Sequence, residues 1–149
     1  MKILADTREQ QALTFERFAG VTVERGTLAT GDYSLPGYES TIACERKELN
    51  DFIACLQGAN RDRFERELAR GSCMAHFSVL VEATLEDIGH GRYRSNMKPK
   101  AALQSIFAFM IRYRVAFLFC GSRRGGEYVC HSLLSKFLYE MERKNDAVI

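Results

Sequence analysis

Apolar and polar positions along the chain fall into short blocks whose period switches between two and about 3.6 residues, the spacings set by strand and helix geometry. Lys2 to Asp6 reads as a short strand and Val21 to Arg25 as a second, separated by a helix or loop carrying Phe15 and Phe18. Two extended runs follow, Leu28 to Ser34 and Thr41 to Lys47, and the turn residues Leu35, Pro36, Gly37, Tyr38 and Glu39 between them make a hairpin. Leu49, Phe52, Ile53 and Leu56 recur at helical spacing, which predicts a helix ending near Gly58. Arg61 to Leu68 is densely charged, with Phe64 and Leu68 four apart, as suits a partly exposed helix. Phe77 to Glu82 and Val115 to Cys120 read as buried interior strands. Between them Pro99 opens a helix whose apolar face is Leu103, Ile106, Phe107, Met110 and Ile111. A last helix runs from about Glu127 to Arg143. Its stripe of Leu133, Leu134, Phe137, Leu138 and Met141 suits a core-facing surface better than a dimer contact.

Strands interleaved with helices predict an α/β fold, a central mixed sheet flanked by helices, in one domain over residues 1–149. Composition agrees, with 46% hydrophobic and 27% charged residues and only two prolines. No apolar run reaches the roughly 18 residues of a membrane span. Lys2 and Asp6 bring charge too early for a signal peptide, so an intracellular setting is expected, cytoplasmic, nucleoid-associated or nuclear. Five cysteines without CxxC spacing read as reduced, buried small hydrophobes.

The net charge of +2 hides a segregation. No acid lies between Asp87 and Glu127, whereas that stretch holds Arg92, Arg94, Lys98, Lys100, Arg112, Arg114, Arg123 and Arg124. Such polarity suggests one surface for an anionic polymer and a separate cluster of carboxylates.

The hairpin is where those carboxylates meet. Opposed residues in a hairpin sum to a constant, and a turn centred on Tyr38 and Glu39 gives a sum near 77, pairing Asp32 with Glu45. Alternation along the strand puts Glu45 and Lys47 on one face and Cys44 and Arg46 on the other. Two opposed carboxylates repel. Lys47 compensates in part, and a hard divalent cation such as Mg²⁺, which prefers oxygen ligands, does so more fully. Asp51, four residues beyond Lys47, is placed to hold a water beside the metal or to orient the lysine, and Asp6 is a further candidate ligand.

These residues form a larger pattern. Asp6-Thr7-Arg8-Glu9, Gly31-Asp32-Tyr33 and Glu45-Arg46-Lys47-Glu48-Leu49-Asn50-Asp51 closely resemble the DxRE and GDx…ERKxxxD motifs of the XPF-type structure-specific endonucleases. Arg61-Asp62-Arg63-Phe64 resembles the segment that follows, so the likeness covers nearly the whole chain. The resemblance implies a restriction-endonuclease-like, three-layer α/β/α fold, Mg²⁺ or Mn²⁺ dependence, and hydrolysis of branched DNA near a single-strand/double-strand junction. It implies Asp32, Glu45 and Asp51 as metal-site acids, Lys47 as the catalytic lysine, Arg46 as the motif arginine, and Asp6, Arg8 and Glu9 as supporting residues. Many relatives carry a helix-hairpin-helix module after this domain. None follows here, so a partner protein or a homodimer is the expected substitute.

DNA contacts are expected from the acid-free stretch. Arg92, Tyr93 and Arg94 lie in a flexible basic segment in which the arginines track phosphates and Tyr93 stacks on an unpaired base, with Lys98 nearby. Gly121 to Gly126, read as a loop between strand and helix, offers backbone amides with Arg123 and Arg124. His131 is expected to pack on its helix. Beside an active nuclease stand two other readings, a non-catalytic DNA-binding subunit of the same fold and an unrelated α/β protein whose ExK is coincidental.

Overall fold

A computed structural model describes residues 1–147, so the last two positions of the expected 1–149 unit lie outside the described residues. Six strands form one mixed sheet: β1 (Lys2–Asp6), β2 (Thr22–Gly26), β3 (Tyr33–Ser34), β4 (Ile42–Lys47), β5 (His76–Val81) and β6 (Ala116–Phe119). Their order is β2-β1-β3-β4-β5-β6, with β3 antiparallel to both neighbours and β4, β5 and β6 mutually parallel. The helices are α1 (Leu49–Ala54), α2 (Gly58–Gly71), α3 (Leu85–Gly89), α4 (Pro99–Tyr113) and α5 (Arg123–Asp146).

Side-chain alternation on the central strands divides the interior into two cores. Ala43, Phe77, Val79, Val81 and Phe117 point to one face and pack with Phe52, Phe64, Leu68, Ile106 and Phe109 from α1, α2 and α4. Cys44 and Leu80 point to the other, where they meet Cys130, Leu134 and Phe137 of α5 and Leu13 and Phe15 from the β1–β2 connection. Helices therefore cover both sides of the sheet, giving three layers.

The structure corrects several expectations. Only Tyr33 and Ser34 of the Leu28 to Ser34 run are paired in the sheet. Gly31 breaks the run, because its φ of +85° is left-handed and a Cβ there would lie 2.7 Å from the Ala43 Cβ. Of the two alternatives for the β1–β2 connection, helix or loop, it is the loop, with Phe15 buried edge-on to Tyr33 at 5.7 Å. Helix α4 turns Ala102, Ile106 and Phe109 inward, whereas Phe107 is 43% and Ile111 83% exposed, so the apolar face read from spacing was rotated. A short helix, α3, closed by a capping box between Thr84 and Asp87, was not foreseen. Cys44 and Cys130 are buried as expected, but Cys73 is exposed.

The largest correction is at α5. The helix begins at Arg123, where Ser122 caps it by accepting from the Gly125 amide, so Arg123 to Gly126 is a helical turn and not a loop. Gly125 suits this turn because a Cβ there would come within 1.9 Å of the Cys120 carbonyl oxygen. The Arg123 guanidinium donates to the carbonyls of Gln11 (2.6 Å) and Ala12 (3.3 Å), tying α5 to the β1–β2 loop. From the α5 stripe, Leu134 and Phe137 are core, while Leu133, Leu138 and Met141 pack at its margin. His131 has a packing role, but against the β1–β2 loop, where it stacks on Phe18 at 3.9 Å, and not only along its own helix.

Candidate active site

The hairpin register is the one the turn predicts. Tyr33 pairs with Cys44, which places Asp32 opposite Glu45. Three short contacts hold Asp32. Its amide donates to the Cys44 carbonyl at 2.9 Å, its carbonyl accepts from the Asp6 amide at 2.7 Å, and its Oδ2 accepts from the Arg46 amide at 2.8 Å. A motif glycine and aspartate thus do separate work, one allowing the close pass over Ala43 and the other locking the pass to both neighbouring strands.

Glu45 and Lys47 share a face, and Lys47 Nζ lies 3.1 Å from Glu45 Oε1. The lysine also sits over the Phe64 ring at 5.6 Å, so its stem is held by the α2 core. Asp6, Arg8, Gly31, Asp32, Glu45, Glu67 and Arg70 line a cavity of about 210 Å³. The sequence-predicted acids Asp32, Glu45 and Asp6 are therefore brought together. Asp51 is not among the lining residues. It stands exposed in the first turn of α1, where its amide donates to the capping Glu48 side chain at 3.3 Å.

Arg46 points to the opposite face, as alternation requires. Its guanidinium meets Glu9 at 3.0 Å and Glu82 at 2.6 Å, all three side chains being nearly buried. Glu9 in turn accepts from the Tyr33 hydroxyl at 2.7 Å. This network ties the residues after β1 to β3, β4 and the end of β5, and so positions the strand that carries Glu45 and Lys47. Asp6 has a comparable structural task. Its Oδ2 accepts from Arg8 Nε at 2.6 Å and its Oδ1 from the Leu28 amide at 2.9 Å.

The electrostatics separate these acids by role. Burial opposes charge on Asp6, but the Arg8 guanidinium and the Leu28 amide outweigh it and hold the carboxyl below its usual range. Asp32 is pushed up to about 8, first by burial and then by the charges of Glu45 and Glu9. Glu45 is raised well above the ordinary value by burial and then by Glu67. Burial alone would weaken the charge on Lys47, yet Glu45 reverses this and keeps it a firm cation. Two acids whose charged forms are disfavoured, beside a lysine whose charge is secured, are a site that accepts added positive charge.

Two residues escaped the sequence reading. Glu82 closes the apolar run Phe77 to Glu82, and nothing in its spacing marks it as the partner of Arg46. Glu67 did leave a signal: Phe64, Leu68 and Gly71 form the buried stripe of α2, and Glu67 is the acid set into that stripe at helical spacing. Its Oε1 is enclosed without a hydrogen-bond partner. Among the described residues, no three His, Cys, Asp or Glu side chains are gathered at ligand spacing. Two carboxylates completed by water and substrate phosphate remain a pattern that Mg²⁺ uses.

The basic segment divides residue by residue. From Arg92 to Lys100 exposure alternates, with Arg92, Arg94, Lys98 and Lys100 outward and Tyr93, Ser95, Met97 and Pro99 half-buried. Tyr93 packs on the core beside α4, and its hydroxyl donates to the Met97 carbonyl at 2.7 Å, so it is not the free stacking platform expected. Arg92 is paired with Asp87 at 3.0 Å. The segment is anchored to α1 and its C-terminal flank. The Arg94 amide donates to Asn50 Oδ1 at 3.0 Å, and Gln57 donates to Ser95 Oγ at 2.9 Å. It therefore crosses the helix that directly follows Lys47. Arg124 is exposed at the start of α5, on a surface shared with Arg17, Arg123 and Glu127. No described helix is long and apolar enough to cross a membrane.

Comparison with known proteins accords with this geometry. The ERCC4 domain matches residues 5–131. No curated protein matches the sequence. Among solved structures, XPF from Aeropyrum pernix superimposes with a TM-score of 0.74 at 19% identity, covering 98% of this chain and 69% of that one. XPF from Aeropyrum pernix in complex with DNA gives 0.71 at 22% identity, covering 93% of this chain and 66% of that one. This chain thus spans about two thirds of their length, and at these identities they share its fold. From the domain match over residues 5–131, which contains the hairpin, both motifs and the basic segment, this chain belongs to the ERCC4 domain family, and its sheet and helices have the restriction-endonuclease-like α/β architecture.

Proposed function

We propose that this protein is a divalent-metal-dependent endonuclease that hydrolyses phosphodiester bonds in DNA, at flaps, forks and other branched structures where single and double strands meet. The observation that supports it most is the convergence of Asp32, Glu45 and Lys47, two inward-facing carboxylates and a lysine held at 3.1 Å from one of them. Mg²⁺ or Mn²⁺ fits this donor set, because both carboxylates present hard oxygen atoms and both are poor hosts for unbalanced negative charge. When bound, such an ion polarises the scissile phosphate and activates the attacking water.

The chain's own residues supply the rest. Asp32 and Glu45 hold the ion. Lys47, held beside Glu45, neutralises charge developing on the phosphate or orients the attacking water. Arg46, Glu9 and Asp6 with Arg8 act as positioning residues through the contacts described above. Asp51, outside the cavity, is left an outer role in orienting water or Lys47. Arg94 and Lys98 track phosphates along the segment that crosses α1.

End-labelled flap, fork, bubble and plain duplex DNA, incubated with Mg²⁺ or Mn²⁺, test the proposal. Cleavage that requires metal, is lost in Asp32→Ala and Lys47→Ala, and favours a junction is the expected result. A folded protein that binds these DNAs but cuts none would replace the proposal with that of a DNA-binding subunit acting beside a catalytic partner.

A further inference from the structure

We propose that Glu67 of α2 is a direct ligand of the cation held by Asp32 and Glu45, in the place that spacing along the chain assigned to Asp6. The inference rests on the metal-dependent reading above and refines which residues complete its site.

Asp6 is poorly suited to the task. Both of its oxygens are engaged, one by Arg8 and one by the buried Leu28 amide, so turning it toward a cation would strand a backbone donor. Glu67 has the opposite situation. It lines the same cavity as Asp32 and Glu45, and its Oε1 is closed off from solvent with no partner.

That placement is costly to the protein alone. Glu67 has exposed neighbours on its helix, Arg66, Ala69 and Arg70, so a carboxylate at this point of α2 has water within a turn's reach. It is instead set between Phe64 and Leu68 and directed at another acid. An enclosed oxygen without a donor is destabilising, and a second carboxylate beside it adds repulsion. A hard cation relieves both at once, since it supplies the missing partner and cancels the repulsion. Three acids are not yet at ligand spacing, so a side-chain rotation of Glu67 or Glu45 completes the set.

Binding of Mn²⁺ to the whole protein, followed by calorimetric titration without DNA, tests this apart from activity. Glu67→Gln keeps the shape and removes the charge. Its expected signature is crossed: Mn²⁺ affinity falls by about tenfold or more, while the melting temperature in EDTA rises because the buried repulsion is gone. Glu67→Asp keeps the charge but withdraws it by one methylene, and is expected to lose affinity without that rise. Glu65→Gln, whose carboxylate faces Arg61, Arg112 and Tyr113 on the other side of α2, leaves affinity unchanged. If both Glu67 variants bind Mn²⁺ as the wild type does, Glu67 is not a ligand and the metal-dependent reading survives without it. If the wild type shows no saturable Mn²⁺ binding, that reading itself is overturned.

Discussion

Replacing Asp32 with Asn is expected to make the metal-free protein more stable at alkaline pH, and the sign follows from the site. Asp32 is enclosed against Glu45 and Glu9, which pushes its carboxyl up to about 8, whereas the unfolded chain has the ordinary value of 3.8. Between these values the unfolded state is ionised and the folded state holds a proton. Folding then takes up a proton, so stability falls as pH rises from about 4 to about 8 and levels off above. At about 1.4 kcal/mol per unit, the limiting loss is about 6 kcal/mol, and repulsion shared with Glu45 and admitted water reduce this to an expected 2–3 kcal/mol, about half. Asn retains an oxygen to accept from the Arg46 amide, so Asp32→Asn escapes the loss without opening the hairpin. For a domain of this size, about 2–4 °C accompanies each kcal/mol. Melting curves of both proteins in EDTA from pH 4 to pH 9 are the assay. The mutant should gain roughly 5–10 °C at pH 8.5 and little or nothing at pH 4. A difference independent of pH, or a mutant less stable at pH 8.5, would refute the account of Asp32 as a half-buried acid opposed by its neighbours.

Other perturbations reach the surrounding scaffold. Arg46→Met leaves Glu9 and Glu82 without their shared counter-charge and should cost about 3–5 kcal/mol in urea unfolding; adding Glu9→Gln and Glu82→Gln should recover most of it. Gly31→Ala places a methyl 2.7 Å from Ala43 at a left-handed φ, so it should lower stability by about 1–3 kcal/mol and displace Asp32, read as a loss of both melting temperature and Mn²⁺ affinity. Removing Arg94 and Lys98 together should weaken binding of flap DNA in EDTA and reduce the salt slope by about 2. Tyr93→Phe should leave that binding unchanged but lower stability by about 1 kcal/mol, since its hydroxyl serves Met97 and not DNA.

What the sequence determined by itself was whatever depends on local periodicity and turn geometry. A five-residue turn and a period of two were enough to set Asp32 opposite Glu45 and to separate Lys47 from Arg46, because hairpin register is a matter of counting. Pro99 and the apolar spacing likewise marked α4 and the parallel strands beside it. The orientation of α4 was less legible, since Phe107 and Ile111 are as apolar as the residues that face the core. The start of α5 was missed because Gly125 and Gly126 suggest a loop, and only contact with Cys120 and with the β1–β2 connection explains them as helix. Segregated charge points to the stretch after Asp87, but charge counting does not show that Arg92, Arg112 and Arg123 are engaged within the protein. Tertiary structure alone decided which acids share the cavity. Glu67 and Glu82 are far along the chain from Glu45 and Arg46, and their roles exist only because a helix and a parallel strand bring them there. The long-range part of the site is thus set by packing, whose determinants are spread over two cores, while its hairpin nucleus is written in eighteen consecutive residues, 30–47.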